Sequence, residues 1–231
     1  MIPEEKIIIA LDTQEEAHVT RLFNALRGHR VWVKIGMELY YAHGPKFVHE
    51  AKERGFNVFL DLKLHDIPNT VTKSLKVLSK LPIDMINVHA AGGSEMMKKA
   101  AEVIRTQNDK TLLIAVTQLT STTDQMMNKE QRISGDVLES VVHYAKMAKE
   151  SGCHGVVSSP LEVEAIKLVC GSKFLVVTPG IRPRDAESND QARFTTPMEA
   201  LRKGVDYMVI GRPITQAASP VLALDNILKG N

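Results

Sequence analysis

The chain has 231 residues, 44% of them apolar and 24% charged, with a formal net charge of +2. That length and balance fit one sizeable α/β domain with a packed core. Near-neutral charge without a long Lys/Arg run argues against a nucleic-acid or membrane-surface partner.

The opening MIPEEKIIIALD lacks the basic flank and the long apolar run of a secretory signal. No stretch approaches the roughly 18 apolar residues of a membrane helix. From there, β-rich runs recur in chain order: IIIALD (7–12), VWVKIG (31–36), VFLDLK (58–63), MINVHA (85–90), LLIAVT (112–117), GVVSS (155–159), FLVVTP (174–179) and YMVIG (207–211). Between them lie segments such as HGPKFVHEAKERG and SEMMKKAAEVIRTQ, whose apolar residues recur at helical spacing. Eight strands alternating with helices predict an α/β, parallel TIM (β/α)8 barrel, as a single domain over 1–231. A doubly wound sheet would carry a Gly-rich turn after its first strand, whereas here the first strand runs into LDTQEEA. Cys153 and Cys170 are too few and too far apart for a zinc site or a disulfide framework, and fit reduced thiols of a cytoplasmic protein.

In such barrels the site is built at the C-terminal strand ends. Those ends carry Asp12, Lys34, Asp61 with Lys63, His89, Thr117, Ser158, Thr178 and Gly211–Arg212. Asp, Ser and Thr can serve there as helix caps, but lysines do not. Strand side chains alternate, so Asp61 and Lys63 share a face toward the barrel mouth, with Leu60, Leu62 and Leu64 on the helical side. Lys34 joins them from the neighbouring strand, and Asp66 lies past the strand where IPNT suits a helix entry led by Pro68. Two ammonium groups and two carboxylates are therefore expected together. Carboxylates around Lys63 favour its charged form, which suits a proton donor or fixed cation better than a Schiff-base amine. A satisfied structural ion-pair network is the alternative.

Phosphate recognition is expected opposite. TPGIRP follows the seventh strand and IGRPIT the eighth, the two loops where barrels commonly bind phosphate. Arg182 and Arg212 supply forked donors, and Gly180 and Gly211 let backbone N–H groups approach an anion. Loops 119–132 and 181–196 are long for strand–helix connections and suit lids, with Met126 and Met127 either packing on closure or exposed. His89 suits either a site residue or a core histidine, and His65 is expected to face outward.

IIIALD, VKIGMELYY, FLDLKLHDIPNTV, VHAAGG, AVTQLTS, VTPGIRP, NDQAR and VIGRPIT, in that order, make the whole chain resemble the orotidine 5′-phosphate decarboxylase family in its bacterial short form. The D-x-K-x-x-D motif alone is shared more widely among phosphate-binding barrels; DIPNT, QLTS and TPGIRP are more specific. The resemblance implies a homodimer with shared active sites that decarboxylates orotidine 5′-phosphate to uridine 5′-phosphate, with no cofactor and no metal. Catalytic roles fall on Lys63 as the proton donor to C6, on Asp61 beside the departing carboxylate, and on Lys34 and Asp66. Asp12 and Lys34 would hold the ribose hydroxyls, and Asp66, Ile67 and Thr70 would reach the partner's site. Thr120 or Ser121 would meet the pyrimidine edge, and Arg182, Gln191, Gly211 and Arg212 the phosphate. On the same scaffold, a Mg2+-dependent enzyme of keto-sugar phosphates would need additional oxygen ligands, and a non-catalytic phosphate-binding barrel would tolerate a broken charged network.

Overall fold

Strands β1 (Ile7–Ala10), β2 (Trp32–Gly36), β3 (Asn57–Leu64), β4 (Met85–His89), β5 (Leu112–Val116), β6 (Gly155–Val157), β7 (Leu175–Thr178) and β8 (Tyr207–Ile210) pair in sequence order in a computed structural model, which describes residues 1–183 and 195–230. Every pairing is parallel, and β8 returns to β1 to close the barrel. The expected TIM (β/α)8 architecture is thus present. Around it run α1 (Glu16–Ala25), α2 (Met37–His43), α3 (Lys46–Glu53), α4 (Pro68–Leu78), α5 (Gly93–Gln107), α6 (Asp124–Lys129), α7 (Val137–Glu150), α8 (Val163–Cys170), α9 (Pro197–Arg202), α10 (Arg212–Thr215) and α11 (Pro220–Lys229).

Alternation along the strands sorts the apolar residues into two cores. Ile8, Trp32, Phe59, Met85, Ile114, Val177 and Val209 pack on one another inside the barrel. Their neighbours Ile7, Ile9, Val33, Val58, Leu60 and Ile86 face outward and pack against the helices. The inner cluster fills the barrel below its mouth, so the polar residues one step further along the strands stand on an apolar floor.

The helix entries follow local chemistry. Pro68 occupies the first turn of α4, where its missing N–H is no loss. The 119–132 loop is not irregular throughout. Thr123 accepts from Met126 N–H to cap α6 inside it, and Met127 is fully buried while Met126 is half-buried. Asp136 caps α7 by accepting from Glu139 N–H at 2.7 Å. Thr196 and Glu199 form a reciprocal capping box at α9. Both cysteines are free and buried, and burial pushes the Cys153 thiol up to about 12.

At the N-terminal end of the barrel one device recurs. Asp84, His154 and Asp206 immediately precede β4, β6 and β8. Each side chain accepts from a backbone N–H of the preceding strand: Val58 to Asp84 Oδ2 at 2.7 Å, Leu113 to His154 Nδ1 at 2.9 Å and Val176 to Asp206 Oδ2 at 2.8 Å. Each backbone N–H donates back to the carbonyl of that same residue. Lys52 and Lys167, from α3 and α8, neutralise the two carboxylates. Donors that a parallel sheet would leave short of partners are satisfied in this way. Asp206→Ala is expected to cost about 1–3 kcal/mol, because Val176 N–H and Lys167 both lose an acceptor. Urea denaturation measures it; an unchanged midpoint would contradict the role.

Candidate active site

Lys34 points into the barrel because it shares its face with Trp32, and Asp61 because it shares its face with Phe59. Both are buried, at 8% and 7% exposure. The chain leaving β1 is drawn toward β2 by the bond from Leu11 N–H to Lys34 C=O, at 3.0 Å, which brings Asp12 over the mouth. Lys34 Nζ lies 2.8 Å from Asp12 Oδ1 and 3.4 Å from Asp61 Oδ2, and Lys63 Nζ lies 2.7 Å from Asp61 Oδ1. The result is a chain of alternating charge, Asp12–Lys34–Asp61–Lys63. Gly36 leaves space for it, since a Cβ there would sit 3.1 Å from Lys34 Nζ.

Neutralisation within this chain is what makes its burial tolerable. Burial alone would push the Asp61 carboxyl up, but the Lys34 and Lys63 ammonium groups and the bonds from Lys63 and Asn87 hold it below the ordinary 3.8. Burial alone would likewise push Lys34 down, yet Asp61 and Asp12 hold its ammonium above 10.5.

Asn87 was not singled out in the sequence. Fully buried on β4, it donates from Nδ2 to Asp61 Oδ1 at 2.7 Å and accepts from Lys63 N–H at Oδ1 at 2.8 Å. The available signal was parity: Met85, Asn87 and His89 alternate toward the interior, and an amide in that apolar run needs a partner. His89 is half-buried, its ring centroid 5.4 Å from that of the exposed His65. Burial, with the charges of His65 and Lys63, pulls its imidazole down.

A cavity of about 300 Å³ joins the charged chain to the last two strand ends. Asp12, Lys34, Asp61 and Lys63 line it with Gly180, Arg182, Gly211 and Arg212, over a floor that includes Phe59, Val177 and Val209. Gly180 adopts φ 78°, a conformation that excludes most side chains. Thus Lys34, Asp61, Lys63, Asp12, Arg182, Gly211 and Arg212 are brought together as expected.

Asp66, Ile67 and Thr70 are not brought in. They are exposed at the start of α4, outside the lining of the cavity of their own chain, and Asp66 Oδ1 accepts from Ile67 N–H at 2.7 Å. Within its own chain Asp66 therefore does not join Asp61 and Lys63, although the spacing of the motif sets it close to them; the resemblance assigns it, with Ile67 and Thr70, to the site of a partner. Thr120 and Ser121 are exposed in the loop after β5 and do not line the cavity either. Gln191 lies outside the described residues. Among the described residues, no group of three or more His, Cys, Asp or Glu side chains could hold a metal ion, and no helix is long and apolar enough to cross a membrane.

Fold and site together define a (β/α)8 barrel whose mouth sets a chain of lysines and aspartates against two Gly–Arg loops. The family model described as Orotidine 5′-phosphate decarboxylase / HUMPS family matches residues 5–227, and the chain belongs to that family. It is 52% identical over 214 residues to an orotidine 5′-phosphate decarboxylase of Staphylococcus aureus, covering 93% of each chain. To the protein of that name from Staphylococcus saprophyticus it is 51% identical over 220 residues, covering 95% of each. The crystal structure of orotidine 5′-phosphate decarboxylase from Lactobacillus acidophilus superposes with a TM-score of 0.87 at 41% identity, covering 98% of each chain.

The charged chain carries a pH signature. Asp61, held low in the folded state, contributes stability present above 3.8 and lost as pH falls through its lower folded value. Lys34, held high, contributes stability present below 10.5 and lost as pH rises through its higher folded value. The stability advantage of the wild type over Asp61→Asn should therefore narrow as pH falls below 3.8 in denaturant titrations. A difference that stays constant across that range would contradict it.

Proposed function

We propose that the protein decarboxylates orotidine 5′-phosphate to uridine 5′-phosphate, a carbon–carbon lyase step of de novo pyrimidine biosynthesis, without cofactor or metal. The observation that carries the reading is Lys63 held against Asp61 in a cavity whose far end holds the two arginine loops. Support also comes from the family and from relatives of that name. The whole chain, 1–231, acts as one cytoplasmic catalytic domain on a small nucleotide, with neither nucleic acid nor membrane as partner.

When the bond between C6 and the carboxylate breaks, CO2 leaves and the electron pair stays on C6 in the plane of the ring. The ring π-system cannot delocalise that pair, so stabilisation must come from fixed charge. The Lys63 ammonium lies beside C6, transfers a proton to it to form the C–H bond, and regains one from water. Asp61 sits beside the departing carboxylate and holds Lys63 in place. Asp12 and Lys34 bind the ribose hydroxyls, and Thr120 or Ser121 meets the pyrimidine edge. Arg182, Arg212, Gly211 and Gln191 grip the phosphate, far from the reacting bond, where binding energy can be used to order the site.

The exposure of Asp66, Ile67 and Thr70 on their own chain fits a homodimer in which each subunit lends them to its partner's site. Loss of absorbance on orotidine 5′-phosphate, run in EDTA, tests reaction and assembly together. Wild type is expected to be fully active, and Lys63→Ala and Asp66→Ala each to lose about 10²–10⁴-fold in kcat. A mixture of the two variants after subunit exchange should regain about a quarter of wild-type activity, since half the dimers are mixed and one of their two sites is whole. Inhibition by EDTA would contradict the metal-free reading, near-normal Lys63→Ala the proton donor, and an inactive mixture the shared site.

A further inference from the structure

The ladder between β3 and β4 slips at the charged motif. Leu60 pairs with Ile86, but Leu64 pairs with Val88, so four steps along β3 span two along β4. Lys63 lies inside the slip with φ 52°, a backbone conformation that residues with side chains rarely adopt. The slip takes its N–H out of the regular ladder, and Asn87 Oδ1 accepts it at 2.8 Å. The other end of the same amide donates to Asp61 Oδ1 at 2.7 Å, and that oxygen also receives Lys63 Nζ at 2.7 Å. A backbone N–H only donates and a carboxylate only accepts, so the orientation of the Asn87 amide is fixed by its partners.

We infer that Asn87 is a positioning residue for the decarboxylation, holding Lys63 at both ends at once. Its Oδ1 fixes the backbone from which the lysine springs, and its Nδ2 fixes the carboxylate oxygen to which the ammonium is tied. The four-carbon stem of a lysine is otherwise free to swing. Anchoring root and tip confines Nζ to one region of the cavity before substrate arrives, which is the kind of preorganisation that transition-state stabilisation requires. Neutral character matters as much as shape. An aspartate at 87 could still accept from Lys63 N–H, but could not donate to Asp61 and would set a second negative charge against it. A leucine would match the volume and provide neither bond.

This inference rests on the functional reading above, and kinetics of wild type, Asn87→Leu and Asn87→Asp separate the two. Both variants should lose about 10–100-fold in kcat. KM should stay within about threefold of wild type, since the arginine loops and ribose contacts are untouched. The acid limb of the kcat profile should also move to higher pH, because Asp61 loses a donor that helps keep its carboxyl ionised. A merely structural role would not shift that limb. Circular dichroism reports folding, and Asn87→Asp, which keeps the acceptor for the slipped strand, carries the test if Asn87→Leu does not fold. Wild-type kcat and acid limb in a folded variant would overturn the inference alone. An inactive wild type would overturn the reading on which it rests.

Discussion

One carboxylate organises this molecule. Asp61 Oδ1 takes the Lys63 ammonium and the Asn87 amide, and Oδ2 faces the Lys34 ammonium at 3.4 Å. Without it, two lysines inside a barrel mouth would carry like charges with little water to separate them, a costly arrangement. With it, the lysines are held at fixed positions on an apolar floor, and their charge can be aimed. The neighbouring residues follow from that constraint. Gly36 has no side chain because a Cβ would crowd Lys34 Nζ, and β3 slips against β4 so that Lys63 turns with its motif.

The two ends of the barrel divide the work. At the N-terminal end Asp84, His154 and Asp206 spend acceptors on backbone N–H groups of the neighbouring strands, and Lys52 and Lys167 balance the two carboxylates, Lys167 also donating to the Ser172 and Phe174 carbonyls. At the C-terminal end Asp12, Lys34, Asp61 and Lys63 pair chiefly with one another around an open cavity. The same residue types, aspartate and lysine, tie strands together below and line the open cavity above. The difference lies in what each carboxylate accepts from.

Much of this was legible in the sequence because a strand has a period of two. Parity alone put Asp61 and Lys63 on one face, and the count of strands put Lys34 beside them. Gly180–Arg182 and Gly211–Arg212 were legible because the loops after the last two strands are where a barrel can present backbone and guanidinium donors to an anion. The slip in β3 was not, because nothing in FLDLKLHD marks a positive φ at a lysine, and Asn87 looked like one polar residue in an apolar run. Spacing set Asp66 close to Asp61 and Lys63 because D-x-K-x-x-D is compact in sequence, while the resemblance assigned it to a partner's site. The chain turns at Ile67 into α4 and carries the carboxylate to the surface instead. A single chain's periodicity says nothing about what a surface carboxylate meets beyond its own chain. Met127 was left open between burial and exposure. A Thr123-capped helix turns it inward, a local effect visible only once α6 is placed.

Exchange of the C6 hydrogen of uridine 5′-phosphate in D2O, followed by proton NMR, tests the role of Lys63 most directly. Adding a proton to the C6 carbanion and removing one from the product share a transition state, so a lysine that acts as acid in one direction must act as base in the other. The wild-type protein is expected to wash out the C6–H signal well above the uncatalysed background, and Lys63→Ala is expected to leave it intact. Equal exchange by both proteins would place the proton transfer on some other group.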